Sequence, residues 1–167
     1  MLFRVITLSK WNKKISRQDA GIAGDAISDL RTTNNTLSVW KVSDEKNNNE
    51  LLDLAVVAAL NRDKLQKVSY VLLDESWLAE NHIAFQSAPG KCDFIKSEYH
   101  DLKSKHIDLT EIDYKQLGIL AEKISSILVN SSPMCFTNKE LGERINALKK
   151  DGFLTDKFND KEERFLN

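Results

Sequence analysis

The segment 50–60 reads ELLDLAVVAAL and, drawn as a helix, has apolar side chains on nearly every face. A helix without a polar face belongs in the interior of a protein, since any surface position would expose apolar side chains to water. The segment therefore predicts a buried helix that covers a β-sheet. Its apolar run, from Leu51 to Leu60 with Asp53 inside it, is far shorter than the roughly 20 residues that span a bilayer. No membrane association is expected.

Short segments rich in β-branched and aromatic residues predict the strands of that sheet. They are residues 2–8, 37–42 and 68–73, and a weaker candidate at 83–85. Helical segments alternate with them, a pattern typical of parallel or mixed pairing with helices against the sheet. The expected fold class is α/β, a small sheet of three to four strands packed by helices, with a mixed α+β arrangement left open.

The remaining helices are predicted from apolar spacing and from capping residues. They are residues 17–31, 74–80, 110–129 and 138–150. Thr110 is expected to cap the third of these helices, and Thr137 with Glu140 forms a capping box for the fourth. Asp151 and Gly152 are expected to end that last helix in a glycine turn. Two helices therefore close the C-terminal part of the chain.

A chain of 167 residues with 41% apolar side chains is long enough to bury one core. We expect one α/β domain over 1–152, followed by an amphipathic tail over 153–167. Leu154, Phe158 and Phe165 fall on one helical stripe of that tail, with charged residues between them. The stripe predicts docking into a groove on a partner protein. Folding back over the tail's own domain is the alternative.

Composition excludes several broad classes. The net charge of −1 gives no overall basic footprint, so nucleic acid is only weakly supported as a partner. The N-terminal segment lacks the order of a secretory signal, and two cysteines without a spacing pattern suit a reduced cytoplasm. Neither a GxGxxG pattern nor a Walker A pattern occurs, so no cofactor is expected.

A basic stretch follows the first strand. Lys10, Lys13, Lys14 and Arg17 precede the first acidic residue, Asp19. Ligands of α/β proteins bind beyond the carboxyl ends of strands, so this stretch is a candidate anion-binding loop. An ordinary solvated basic loop is the alternative.

Weaker candidates for catalysis are His100, Asp101 and Arg31. A histidine next to a carboxylate can act as a general base, and a guanidinium can hold a phosphate. His100 and His106 are six residues apart, so neither a helix nor a strand brings them onto one ion. No metal site is expected.

Two functions follow from these features. The first is a small intracellular protein-binding accessory, of an immunity, antitoxin or assembly-factor type, because no catalytic motif is evident. The alternative is an enzyme of the nuclease or nucleotidyl type, which would act on a phosphate-bearing substrate with the basic loop and a histidine. Whether the protein is an enzyme is left open by the sequence.

Overall fold

The predicted buried helix and its neighbouring strands form the centre of the fold. A computed structural model of the protein describes residues 1–11, 21–30, 32–90, 93–99, 101–131 and 133–166. Its strands are β1 (Leu2–Ile6), β2 (Leu37–Lys41), β3 (Val68–Leu73), β4 (Phe85–Ser87), β5 (His106–Leu109) and β6 (Met134–Phe136). Its helices are α1 (Leu8–Trp11), α2 (Gly24–Asp29), α3 (Asn48–Leu60), α4 (Glu75–Glu80), α5 (Tyr114–Asn130), α6 (Asn138–Lys150), a 3₁₀ helix (Asp156–Lys161) and α7 (Glu162–Leu166).

The strands form one sheet in the order β4-β5-β2-β1-β3-β6. Every neighbouring pair of strands is antiparallel. β1 lies between β2 and β3 and is antiparallel to both, so β2 and β3 run in the same direction. Helix α3 connects these two strands and crosses over β1. The arrangement is a split βαβ unit.

This topology corrects the predicted sheet in two respects. The mixed α/β class is confirmed, but the sheet has six strands among the described residues instead of three to four. The predicted parallel or mixed pairing of strands is wrong. Strand β1 lies between β2 and β3, the two strands that α3 joins, and is antiparallel to both. Strands β5 and β6 have only four and three residues, too short for a clear alternation in sequence.

Helices cover both faces of the sheet, so the protein has two apolar cores. One face packs against α3, α6 and the C-terminal segment, and includes a row of stacked rings. Phe3 lies 4.6 Å from Tyr70, and Tyr70 lies 5.6 Å from Phe136, between ring centroids. The other face packs against α2, α4 and α5, through residues such as Leu30, Leu78 and Leu120.

Some predicted helix boundaries shift. The 110–129 helix begins at Tyr114, because the N–H of Thr110 donates to Ala84 and continues the β5–β4 pairing. Asp113 forms the capping box of α5 in place of Thr110. The 17–31 helix is helical only over Gly24–Asp29 within its described part.

The boundaries of α6 match the sequence. Thr137 and Glu140 form the predicted capping box, and Gly152 has a φ of 76° just past the end of the helix. The N–H groups of Gly152 and Phe153 bond back to Lys149 and Leu148 at 3.1 and 2.9 Å. These two bonds are the Schellman pattern that a glycine at this position permits.

The C-terminal segment packs onto its own domain. Leu154 bridges to Ile95, and the rings of Phe158 and Phe165 are 1% and 3% exposed within the core beside α3 and α6. The predicted partner-docking role of these three residues stays a prediction, and it would require both rings to leave the core.

The burial of the Phe158 ring predicts that its removal has a large effect on stability. Phe158→Ala is expected to lower the free energy of unfolding by about 3–5 kcal/mol, because it removes apolar contacts and leaves a cavity. Urea denaturation followed by circular dichroism measures the change. Tyr114→Ala is the matched control, since that ring is 91% exposed, and it should change stability little. Equal effects of both variants would show that the C-terminal segment is not part of the core.

Candidate functional site

A cavity of about 540 Å³ lies beside the carboxyl end of β1, at the point where β3 begins. Ile6 and Ser69 are paired there across the two strands. We call this cavity the basic pocket; it is lined by Ile6, Thr7, Leu8, Ser9, Arg62, Gln66, Lys67 and Ser69. Within the described part of the chain, two cations, three hydroxyl groups and one amide line it, and no carboxylate does.

The cations come from the connection between α3 and β3. Arg62 donates from Nη1 to the carbonyl oxygen of Lys67 at 3.0 Å, which closes this connection into a compact turn. Neither cation has a carboxylate within ion-pair distance among the described residues. Burial lowers the pKa of Arg62, and the charge of Asp29 opposes that shift. An arginine stays protonated at physiological pH in either case, so the pocket has two formal positive charges.

Ser69 contributes an unused hydroxyl. It is 4% exposed and occupies a strand that is otherwise apolar. Its side chain has no hydrogen-bond partner among the described residues, although the hydroxyl can donate one bond and accept two. Its oxygen still reaches the solvent of the basic pocket, because no serine oxygen is buried without a partner among the described residues. A ligand or a water molecule in the basic pocket would satisfy it.

Asp29, at the end of α2, shapes the pocket's rim. Its Oδ2 accepts from the backbone N–H of Thr7 at 2.6 Å and from Nε1 of Trp11 at 2.9 Å. Arg4 donates to the backbone carbonyl of Asp29 at 2.8 Å from the adjacent strand. These bonds end β1 at Ile6 and direct the following residues over the pocket.

Of the four predicted anion-binding residues, only Lys10 lies among the residues that the structure describes. Lys10 lies at this end of β1, with its Nζ 3.9 Å from the carboxylate of Asp29. Lys13, Lys14 and Arg17 lie outside the described residues, so the basic loop as a whole stays a prediction.

A second cavity adjoins the basic pocket and is similar in chemistry. It has a volume of about 750 Å³, shares Arg62 and Gln66 with the basic pocket, and adds Lys64 and Arg164. Asp63 is the only carboxylate that lines it among the residues that the structure describes. The cationic surface therefore extends beyond the basic pocket along the 61–67 connection.

A separate polar cleft lies at the other end of α3. We call it the ion-pair cleft; it has a volume of about 410 Å³ and is lined by Ser43, Asn47, Asn49, Glu50, Asp53, Leu102, Lys105 and Arg144. Glu50 accepts from Nζ of Lys105 at 2.5 Å. Asp53 accepts from Nε and Nη2 of Arg144 at 2.7 and 3.1 Å, a two-point ion pair.

The titration behaviour of the ion-pair cleft follows from these contacts. Burial alone would raise the pKa of Glu50, but hydrogen bonds from Lys105 and from the backbone of Ser43 and Asp44 lower it to about 2. Burial and the charge of Asp53 raise the pKa of Tyr99 to about 12. Tyr99 therefore stays protonated and donates to Asp53 at 3.0 Å.

Of the three weaker catalytic candidates, only Asp101 lies among the described residues, so their catalytic role stays a prediction. Asp101 is exposed in a turn with a φ of 48°, and its carboxylate accepts from Ser104 at 2.6 Å. His100 and Arg31 lie outside the described residues. No group of three or more metal-binding side chains occurs in the described part of the chain.

Sequence reasoning missed the main contributors to both cavities. Residues 61–67 contain three cations in seven positions. This cluster is visible in the sequence, but it resembles an ordinary solvent-exposed connection. Ser69 interrupts an apolar strand, which is a second local signal. Glu50, Lys105 and Arg144 gave no signal, since they meet only through tertiary contacts.

Comparisons with known proteins identify no relative of this chain. No protein-family model matches the chain, and searches of curated proteins and of solved structures find no match. Within the described residues, no helix is long and apolar enough to cross a membrane.

The low pKa of Glu50 predicts a pH effect on stability. A carboxylate whose folded pKa is below its unfolded value stabilises the protein above the unfolded pKa, and this contribution is lost as pH falls through the folded pKa. For Glu50 the window runs from pH 4.5 down to about 2. Glu50→Gln should therefore show a shallower loss of stability across that window, measured by urea denaturation at successive pH values. Parallel curves for both proteins would contradict the assignment.

Proposed function

We propose that this protein binds the phosphate group of a phosphate-bearing ligand in the basic pocket. The observation that carries the proposal is a set of donors that line one cavity, which are two cations without ion-pair partners among the described residues and the hydroxyl of Ser69. Phosphate oxygens accept hydrogen bonds strongly from such charged donors. The proposal is for binding, because none of the described residues that line the pocket is a histidine or a carboxylate that could act as a general base.

Charge balance supports a phosphate over a neutral ligand. Arg62 and Lys67 supply two positive charges at the pocket wall, and Lys10 and Asp29 nearby offset each other. A phosphate with a charge between −1.5 and −2 at pH 7 would neutralise the two cations. The adjoining cavity with Lys64 and Arg164 can take a further anionic group.

Two substitutions test the phosphate site. Lys67→Met is expected to weaken binding of inorganic phosphate by about tenfold or more, since a hydrogen bond to a charged group contributes about 1.5–3 kcal/mol. Ser69→Ala is expected to weaken binding severalfold while leaving stability nearly unchanged, because the hydroxyl makes no hydrogen bond to another described residue. Isothermal titration calorimetry at low salt measures both affinities.

The control for this test is Lys139→Met, a lysine with 84% side-chain exposure on α6. It removes the same charge from a residue that does not line the basic pocket and should leave phosphate affinity unchanged. Titrations with a mononucleotide and with a short oligonucleotide distinguish the source of the phosphate. If all three variants bind inorganic phosphate as the parent protein does, the proposal is wrong.

A second candidate function, a protein-binding accessory, is favoured by the edge strand β4. Thr110 donates to Ala84 and Ala88 donates to His106, which directs the backbone groups of these alternate residues toward β5. In an antiparallel pair the intervening residues, Phe85 and Ser87, point their N–H and C=O groups away from β5. Phe85 is also 41% exposed, and residues 83–90 contain no charge.

An open edge of this kind can accept an extended segment of a partner protein as an additional strand. Ser87→Pro removes one outward N–H that β5 does not use, so it should abolish capture of the partner while preserving the fold. Gln86→Pro is the contrasting control, since it breaks the β4–β5 pairing itself. Affinity purification from the native host with mass spectrometry measures capture. A bare monomer at every salt concentration would exclude this function.

A further inference from the structure

The ion-pair cleft contains two cations that are not used up by their carboxylate partners. Asp53 and Glu50 are 4% and 8% exposed, whereas Arg144 and Lys105 are 25% and 22% exposed. In both pairs the carboxylate lies deeper and the cation lies between it and solvent. Each carboxylate therefore orients its cation, and both cations line the cleft.

The number of unused N–H donors limits what the ion-pair cleft can hold. Arg144 has five N–H groups, and it uses Nε and Nη2 on Asp53 and Tyr99. Both N–H groups of Nη1 remain without a partner among the described residues. Lys105 uses one of three N–H groups on Glu50, which leaves two. The cleft thus offers four charged N–H donors.

We infer that the ion-pair cleft binds a single carboxylate group between Arg144 and Lys105. A carboxylate has two oxygens with about four acceptor sites, which equals the number of unused N–H donors. The amide side chains of Asn47 and Asn49 line the same cleft and can fix the orientation of the bound group. This site uses none of the residues of the basic pocket.

Charge selects a monoanion at this site. The two carboxylates and two cations of the cleft sum to zero before a ligand binds. A carboxylate adds one negative charge, whereas a phosphate dianion would add two beside Glu50 and Asp53, which both lie within the cleft. Repulsion between like charges in a partly buried site therefore disfavours the dianion. The two cavities differ in this respect, because no carboxylate lines the basic pocket among the described residues.

The way in which the cations are held also favours a role in ligand binding over a role in the stability of the fold alone. Buried ion pairs are weak contributors to stability once desolvation is included, and apolar replacements of similar size are often tolerated. Arg144 is held on one edge of its guanidinium by Asp53 and Tyr99, which fixes the direction of its free edge. Fixing a donor before the ligand arrives reduces the entropy lost on binding.

The test uses acetate as the probe on the full chain labelled with ¹⁵N. Adding sodium acetate at constant ionic strength, with sodium chloride as the replaced salt, should give saturable shifts of the side-chain amide signals of Asn47 and Asn49. A dissociation constant of about 1 mM would correspond to about −4 kcal/mol, within reach of so small a ligand. Linear, unsaturable shifts would overturn the inference.

A paired substitution removes the site without changing the net charge. Lys105→Met with Glu50→Gln replaces one ion pair by neutral side chains of similar length, so neither charge is left buried alone. We expect this variant to fold and to bind acetate at least tenfold more weakly. Lys46→Met is the matched control, since it removes an exposed cation near the cleft that does not line it. Unchanged acetate affinity in the paired variant would overturn the inference.

Two further probes identify the source of the carboxylate. A blocked peptide with one glutamate residue represents an acidic side chain of a protein, and succinate represents a small free acid. Binding of either one supports a carboxylate site and assigns its source. Inorganic phosphate at pH 7.5 should shift signals at the basic pocket and not at Asn47 and Asn49. Equal binding of phosphate in the ion-pair cleft would contradict the selection by charge, whatever the outcome at the basic pocket.

Discussion

The burial of helix α3 is the constraint on which the remaining structure depends. Nine of its thirteen residues are buried, because it crosses β1 while connecting β2 to β3. Two of those nine are carboxylates, Glu50 and Asp53. An unpaired buried charge is strongly unfavourable, so each must meet a cation. Lys105 and Arg144 supply these cations, which ties the start of β5 and helix α6 to the centre of the fold.

The same helix separates the two cavities. Its N-terminal part forms one wall of the ion-pair cleft, and the connection after its C-terminal end supplies the cations of the basic pocket. One cavity has balanced charges, and the other has an excess of positive charge. The two proposed ligands therefore differ in charge, a phosphate at the basic pocket and a carboxylate at the ion-pair cleft.

Asp29 illustrates how one side chain organises a site that it does not line. Its carboxylate holds Thr7 and Trp11, and Arg4 binds its backbone carbonyl. The chain after β1 is thereby held against α2, beside the 61–67 connection. Nε of Arg4 is buried without a hydrogen-bond partner among the described residues, so the guanidinium is held by its two Nη groups alone.

The sequence by itself determined the elements whose signals are local. The buried helix, three strands and the capping of α6 follow from apolar periodicity and from side chains that bond within four residues. Tertiary structure alone decided the order of the strands, the short strands β5 and β6, and the burial of Phe158 and Phe165. It also decided both cavities, since Ser69, Arg62 and Lys67 gain their meaning from lining one cavity, and Arg144 meets Asp53 across 91 residues. Contacts between residues so far apart along the chain leave no periodic trace in sequence.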